Sequence, residues 1–204
     1  NKVRMNDYLW SDGSFADAYL GRNKDAGAER GPFWHTMLAS LAATGASGIL
    51  EVGCNVGANL QHFPAASCGV DINAAVIEEA RRRFGHVRYG LSWRPRFKLQ
   101  QGSATMRLPF PDGAFALVVT CGLLIHIARP DLRRAIREVF RVSARYVLLI
   151  EYEADRETAV PYRGQAAALW KRNWHSAVPY SWWPSECPWK NTWACPLGPD
   201  QGFD

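Results

Sequence analysis

Apolar positions along the chain switch repeatedly between helical and strand-like spacing. Residues 29–43 place Phe33, Met37, Leu38 and Leu41 on one helical face, and Gly45 and Gly48 bracket the predicted end. Ile49, Leu50 and Val52 then run into a glycine loop, the pattern of a buried strand entering a turn. A short helix is expected over 57–63, stopped by Pro64. Residues 67–71 (SCGVD) read as a second strand ending in an acid. Asn73 is placed to cap a helix running to Phe84, with Val76, Ile77, Ala80 and Phe84 facing inward. Residues 97–101 read as a third strand, and 115–120 (FALVVT) as a fourth, introduced by the turn Pro111-Asp112-Gly113. After Pro130, residues 131–142 carry Leu132, Ile136, Val139 and Phe140 at offsets 0, 4, 7 and 8, an amphipathic helix. Residues 146–150 (YVLLI) make a fifth strand.

Strands alternating with helices imply an α/β domain with a parallel sheet and right-handed crossovers, and the alternation excludes all-α and all-β folds. No internal repeat is visible. After residue 152 the character changes. Trp170, Trp174, Trp182, Trp183, Trp189 and Trp193 are interspersed with Pro161, Pro179, Pro184, Pro188, Pro196 and Pro199. Residues 164–175 are expected to form a helix and the rest irregular chain. Six tryptophans make this stretch too apolar for a disordered tail, so it should pack on the domain.

Composition changes this picture little. A chain of 204 residues suits one domain. It contains nothing near the roughly 18 consecutive apolar residues of a membrane helix, and its first ten residues show no secretory pattern. Cys54, Cys68, Cys121, Cys187 and Cys195 are odd in number and lack close pairing, which suggests neither a disulfide framework nor a metal site and fits a reducing cytoplasm. The net charge of +5 would suit nucleic acid or acidic small molecules. The arginines are scattered, however, and Arg81 to Arg83, Arg133, Arg134, Arg137 and Arg141 fall on outer faces of predicted helices, where a solvated surface is the simpler reading.

Residues 49–60 (ILEVGCNVGANL) carry the strongest chemical signal. Gly53 and Gly57 let the backbone approach a ligand, and Asp71 follows Glu51 by 20 positions, at the end of the next strand. That is the spacing at which an acid reaches a ribose diol. A dinucleotide loop would leave room for pyrophosphate, which an acid directly before the loop repels. Glu51 suits a cationic ligand, such as the sulfonium and amino groups of S-adenosylmethionine.

The segment resembles motif I of class I methyltransferases, with Asn55 replacing the middle glycine; Asn tolerates the left-handed region better than most residues. Further stretches resemble the methylases associated with pseudaminic acid biosynthesis: residues 9–23 (LWSDGSFADAYLGRN), 122–127 (GLLIHI), the pair Glu151-Tyr152, 162–164 (YRG) and 169–173 (LWKRN). The resemblance implies a Rossmann-like cofactor domain over 29–152, with an N-terminal lid over 1–28 and a substrate-side extension over 153–204. It implies that Glu51, Gly53 and Gly57, with Asn55 in the same loop, contact the methionine part. Asp71 would bind the ribose, Ile72 the adenine ring, and Ser103 and Ala104 the adenine edge, where many relatives carry Asp at the Ser103 position. Cys121 and Gly122 would close the site. Class I enzymes usually finish with two further strands. None is evident over 176–204, and the closing residues 200–204 resemble the segment before the last strand, so truncation there is expected.

Methyl transfer from a sulfonium is an in-line displacement that needs alignment and dryness, and a hydroxyl or ammonium acceptor also needs a base. His126, just beyond the fourth strand, is the leading base, with a satisfied core histidine as the alternative. Glu151 and Tyr152 leave the fifth strand at the same edge. Tyr162, Arg163, Lys171 and Arg172 are candidates for a cationic wall; Arg163 reads as a substrate contact and Lys171 as an ordinary surface charge. Tyr19, Arg22 and Asn23 would belong to the lid. The expected reaction is transfer to a small anionic metabolite, an acidic sugar or amino-acid derivative. A nucleic-acid acceptor is the second reading, disfavoured because CGLLIHI stands where an NPPY-like sequence would be expected. A cofactor-binding scaffold without chemistry is the third.

Overall fold

The computed structural model describes residues 5–11, 13–23, 27–42, 48–89 and 92–178. In chain order its helices are α1 (Met5–Ser11), α2 (Ser14–Asn23), α3 (Gly31–Ala42), α4 (Ala74–Phe84), α5 (Arg129–Val142) and α6 (Trp174–Ala177). Its strands are β1 (Ile49–Val52), β2 (Cys68–Asp71), β3 (His86–Tyr89), β4 (Ser92–Pro95), β5 (Lys98–Gln101), β6 (Phe115–Cys121), β7 (Ser143–Ile150), β8 (Thr158–Tyr162) and β9 (Gln165–Lys171). Five of them form a central sheet in the order β5-β2-β1-β6-β7, with every pairing parallel.

Alternating side chains split the core between the two faces of this sheet. Leu50, Val52, Val70 and Val118 point to the face covered by α5, which buries Leu132, Ala135, Ile136, Val139 and Val142. Leu117 and Val119 point to the other face, where Trp34 of α3 and Ile77 of α4 pack with Phe63 and Phe97. Each fully buried aliphatic side chain contributes about 1.5–3 kcal/mol. The α/β fold expected from the alternation is therefore the one found. Asn73 caps α4 as predicted, its side chain accepting from the N–H groups of Ala75 and Val76 at 2.8 and 3.4 Å.

The structure corrects the sequence reading in several places. Phe33, placed on the inner face of its helix, is 48% exposed, and its neighbour Trp34 is buried instead. Residues 57–63 are not a helix. Gly57 has φ +80°, which no α-helix accommodates, and only a short 3₁₀ turn, Leu60–His62, follows. Residues 164–175 are mainly strand. Arg163 and Gly164 both take positive φ, 46° and 80°, the geometry of a tight hairpin turn, and so pair Tyr162 with Gln165. Cross-strand pairing overrides the helical propensity of the alanine run. The hairpin β3–β4 was not anticipated. Trp182, Trp183, Trp189, Trp193, Cys187 and Cys195 lie outside the described residues.

Candidate cofactor and acceptor site

The carboxyl ends of the five parallel strands meet a cavity of about 350 Å³, at the small end of the roughly 300–1,000 Å³ typical of ligand sites. Strand β1 delivers Glu51 to its floor. Its side chain is 1% exposed, and Oε1 accepts from Asn59 Nδ2 at 2.7 Å while Oε2 is buried without a partner among the described residues. Burial raises the Glu51 pKa to about 8, against the Asn59 hydrogen bond and the charge of Arg30, which lower it. Asn59 is the hub of this corner, since its Oδ1 accepts from both Arg30 Nη1 and Trp34 Nε1 at 3.0 and 3.1 Å. A buried carboxyl oxygen without a partner at the cavity floor is left for a donor from a ligand, and a cationic donor would favour its ionised form. Arg30 and Asn59 were missed in the sequence because neither falls in a recognisable spacing.

The loop after β1 is built around positive φ. Gly53 lies at φ +78°, and a Cβ there would stand 2.9 Å from Leu123 Cδ1. Asn55 takes the left-handed conformation at φ +48°, the freedom expected of it. Its N–H donates to Asp71 Oδ2 at 2.9 Å, and Asn73 N–H to Asp71 Oδ1 at 2.9 Å, so Asp71 ties the tips of β1 and β2 together while lining the cavity. Burial raises its pKa, and those backbone donors oppose the rise. Ile72, Ser103, Ala104 and Cys121 also line the cavity; burial pushes the Cys121 thiol up to about 12. Gly57 does not line it. A Cβ there would collide with the ring of Phe84, so this glycine serves packing against α4.

At the β6–β7 end two charged groups clamp one loop. Glu151 Oε1 accepts from Thr120 Oγ1 and from the N–H groups of Leu123 and Leu124, and Oε2 from that of Ile125, at 2.8–3.2 Å. Arg172, 2% exposed, donates to the carbonyls of Leu124 and Ile127 at 2.7 and 2.6 Å and to Glu157 at 2.8 Å. Glu151 is thereby engaged on both oxygens, though burial lifts its pKa to about 7. The clamp presents His126 to the cavity. Its Nδ1 meets the Ala168 carbonyl at 2.6 Å, which makes Nδ1–H the donor and leaves Nε2 as the ring's acceptor. Burial lowers the His126 pKa to about 4, and the charge of Arg172 reinforces the shift. Tyr152 lines the cavity beside it, its carbonyl accepting from Trp174 Nε1 at 2.9 Å.

The roof comes from elements distant in sequence. Trp10 of α1 lies 4.2 Å from the His126 ring, with Tyr19 at 5.0 Å and Tyr162 at 6.1 Å from the same indole. Burial raises the Tyr19 hydroxyl pKa well above its ordinary value, with Tyr162 adding to it. Asn23 lines the cavity but donates to the Tyr19 carbonyl at 2.9 Å. Alternation along the hairpin directs Val160, Tyr162, Leu169 and Lys171 to the cavity. The two arginines singled out in the sequence are elsewhere. Arg163 sits exposed at the hairpin turn over the Tyr162 ring, and Arg22 lies over Tyr19, neither lining the cavity. Lys171 takes the place expected of Arg163, because a turn residue points away where a strand residue two-fold alternation points in. Arg172 is structural rather than part of a cationic wall. Among the described residues no group of three metal-ligating side chains comes together, and no helix is long and apolar enough to cross a membrane.

The parallel sheet thus brings a buried acid near the end of its first strand and a second acid at the end of the neighbouring strand to one glycine loop. Residues 49–145 match the family model described as a methyltransferase domain. None of the curated proteins matches the chain in sequence. Among solved structures it resembles the YcgJ protein of Bacillus subtilis, at 27% identity and TM-score 0.45 over 59% of this chain and 52% of that one. It also resembles a SAM-dependent methyltransferase from Methanosarcina mazei, at 20% identity and TM-score 0.48 over 62% and 72%. A Leishmania major SAM-dependent methyltransferase aligns with TM-score 0.52 and 15% identity over 79% of this chain and 59% of that one, a likeness of fold. The chain spans about half the length of the first of these, 52%.

Proposed function

We propose that the chain transfers a methyl group from S-adenosylmethionine to a small anionic metabolite held beneath α1 and α2. The observation that carries this reading is the division of groups around the cavity: the buried acids Glu51 and Asp71 at the tips of β1 and β2, and the amine of Lys171 on the hairpin side. Glu51 Oε2 would take the cofactor's ammonium, Arg30 its carboxylate, and Asp71 the ribose diol. The bound cofactor supplies a methyl group on a sulfonium sulfur. Lys171 would pair with the acceptor's negative charge, and the rings of Trp10, Tyr19 and Tyr162 would exclude water. His126, neutral at physiological pH, offers Nε2 to orient a hydroxyl acceptor and take up its proton; a carboxylate acceptor would need no base. Glu151 acts as a positioning residue for the His126 loop. The small roofed cavity supports a small acceptor over a polymer, and the resemblance to methylases of pseudaminic acid biosynthesis supports an acidic sugar or an amino-acid derivative.

A panel of acidic sugars and amino-acid derivatives, assayed with labelled cofactor, tests the reading. On the acceptor it identifies, Lys171→Met should raise KM about ten- to hundredfold, the worth of one charge-assisted hydrogen bond, with cofactor affinity unchanged by calorimetry. An uncharged or nucleic-acid acceptor whose methylation is indifferent to Lys171→Met would overturn it.

A further inference from the structure

The strand tips line one sheet edge in the order β5, β2, β1, β6, β7, spaced by about 4.8 Å. With the ammonium at Glu51 and the ribose at Asp71, the next position outward is the loop after β5, residues 102–105, so the base attached to that ribose falls there. The loop's hydroxyls are gathered by a residue from far away in the chain. Thr105 Oγ1 and Ser103 Oγ lie 2.6 and 3.4 Å from Asp7 Oδ2, and 2.9 Å from each other. Asp7 belongs to α1 and lines the cavity, and its Oδ1 accepts no hydrogen bond among the described residues. One helical turn on, Trp10 rests on His126 at 4.2 Å. Helix α1 therefore bridges the cavity, touching the β5 end through residue 7 and the β6 end through residue 10.

We propose that Asp7 reads the cofactor's base by accepting a hydrogen bond from the exocyclic amino group of adenine, and that this contact holds α1 down so that Trp10 completes the acceptor chamber. The inference rests on the cofactor placement given above. A carboxylate only accepts, so an amino group at the base's 6-position satisfies it and a 6-oxo group repels it. The consequence is an order of binding in which cofactor precedes acceptor, because the acceptor's wall is assembled by a helix that the cofactor pins.

Calorimetry with S-adenosylhomocysteine and its 6-oxo counterpart, S-inosylhomocysteine, tests this on the intact chain, together with hydrogen exchange over residues 5–23. The native protein should prefer the adenosyl ligand by about tenfold or more, the size of one hydrogen bond to a charged group, and that ligand should slow exchange across α1. Asp7→Ala should bind both ligands about equally and lose the added protection. Asp7→Asn should bind both well, since an amide can turn its oxygen to an amino group or its nitrogen to an oxo group. If exchange shows α1 already open in unliganded Asp7→Ala, the asparagine variant decides alone. Equal binding by the native protein, or a preference retained in both variants, overturns the proposal. Asp71→Ala should weaken both ligands alike; if it does not, the cofactor placement itself is wrong and the role of Asp7 falls with it.

Discussion

Titrating S-adenosylhomocysteine into the protein at pH 7 should release close to one proton per site, with Glu51 as its source. Burial sets the Glu51 pKa near 8, above the 4.5 of an ordinary glutamate, so at pH 7 about nine in ten unliganded molecules carry it protonated. The ligand's ammonium against Oε2 favours the ionised form, and ionisation expels the proton. Each pH unit below 8 adds about 1.4 kcal/mol to the cost of ionising the group, so affinity should fall about tenfold from pH 7 to pH 6 and level off above pH 8. Calorimetry at one pH in buffers of different ionisation enthalpy counts the protons, as the slope of observed against buffer enthalpy. Glu51→Gln keeps the side-chain volume and should bind more weakly, with no proton release and a flatter pH profile. A native slope near zero at pH 7, or the same slope in the glutamine variant, would refute the argument, because the proton would then come from elsewhere or the ammonium would not meet Glu51.

His126 bears on stability in acid. Its folded pKa of about 4 lies below the 6.5 of a free histidine, so between these values the unfolded chain binds more protons and stability is lost as pH falls from about 6.5 through 4, by about 2–3 kcal/mol. Glu51 and Glu151, with raised pKa values, act in the opposite sense, so the test is the difference between the native and His126→Asn stability curves, which should narrow toward pH 4; parallel curves would remove the linkage. Arg172→Met should lower stability by about 2–4 kcal/mol by baring the carbonyls of Leu124 and Ile127, visible as a drop in Tm, and an unchanged Tm would show that the loop does not depend on the clamp.

The parts of this protein written locally were legible in the chain alone. The alternation of strand and helix, the Glu51–Asp71 spacing, the Asn73 cap and the tolerance of Asn55 for positive φ each depend on residues within about one strand–helix unit of one another, where steric preference and periodicity act directly. Tertiary structure decided the rest, because those outcomes depend on what lies opposite. Periodicity placed Glu151 at the right edge, but only the folded loop shows both its oxygens occupied by N–H and O–H donors, which makes it an anchor. Arg163 looked like the substrate's counter-ion until a two-residue turn aimed it outward and strand alternation brought Lys171 in. Asp7 and Trp10 have no local signature at all. Their partners Thr105 and His126 are about a hundred residues away, and a contact at that separation is set by how α1 packs across the sheet edge, which no short-range pattern encodes.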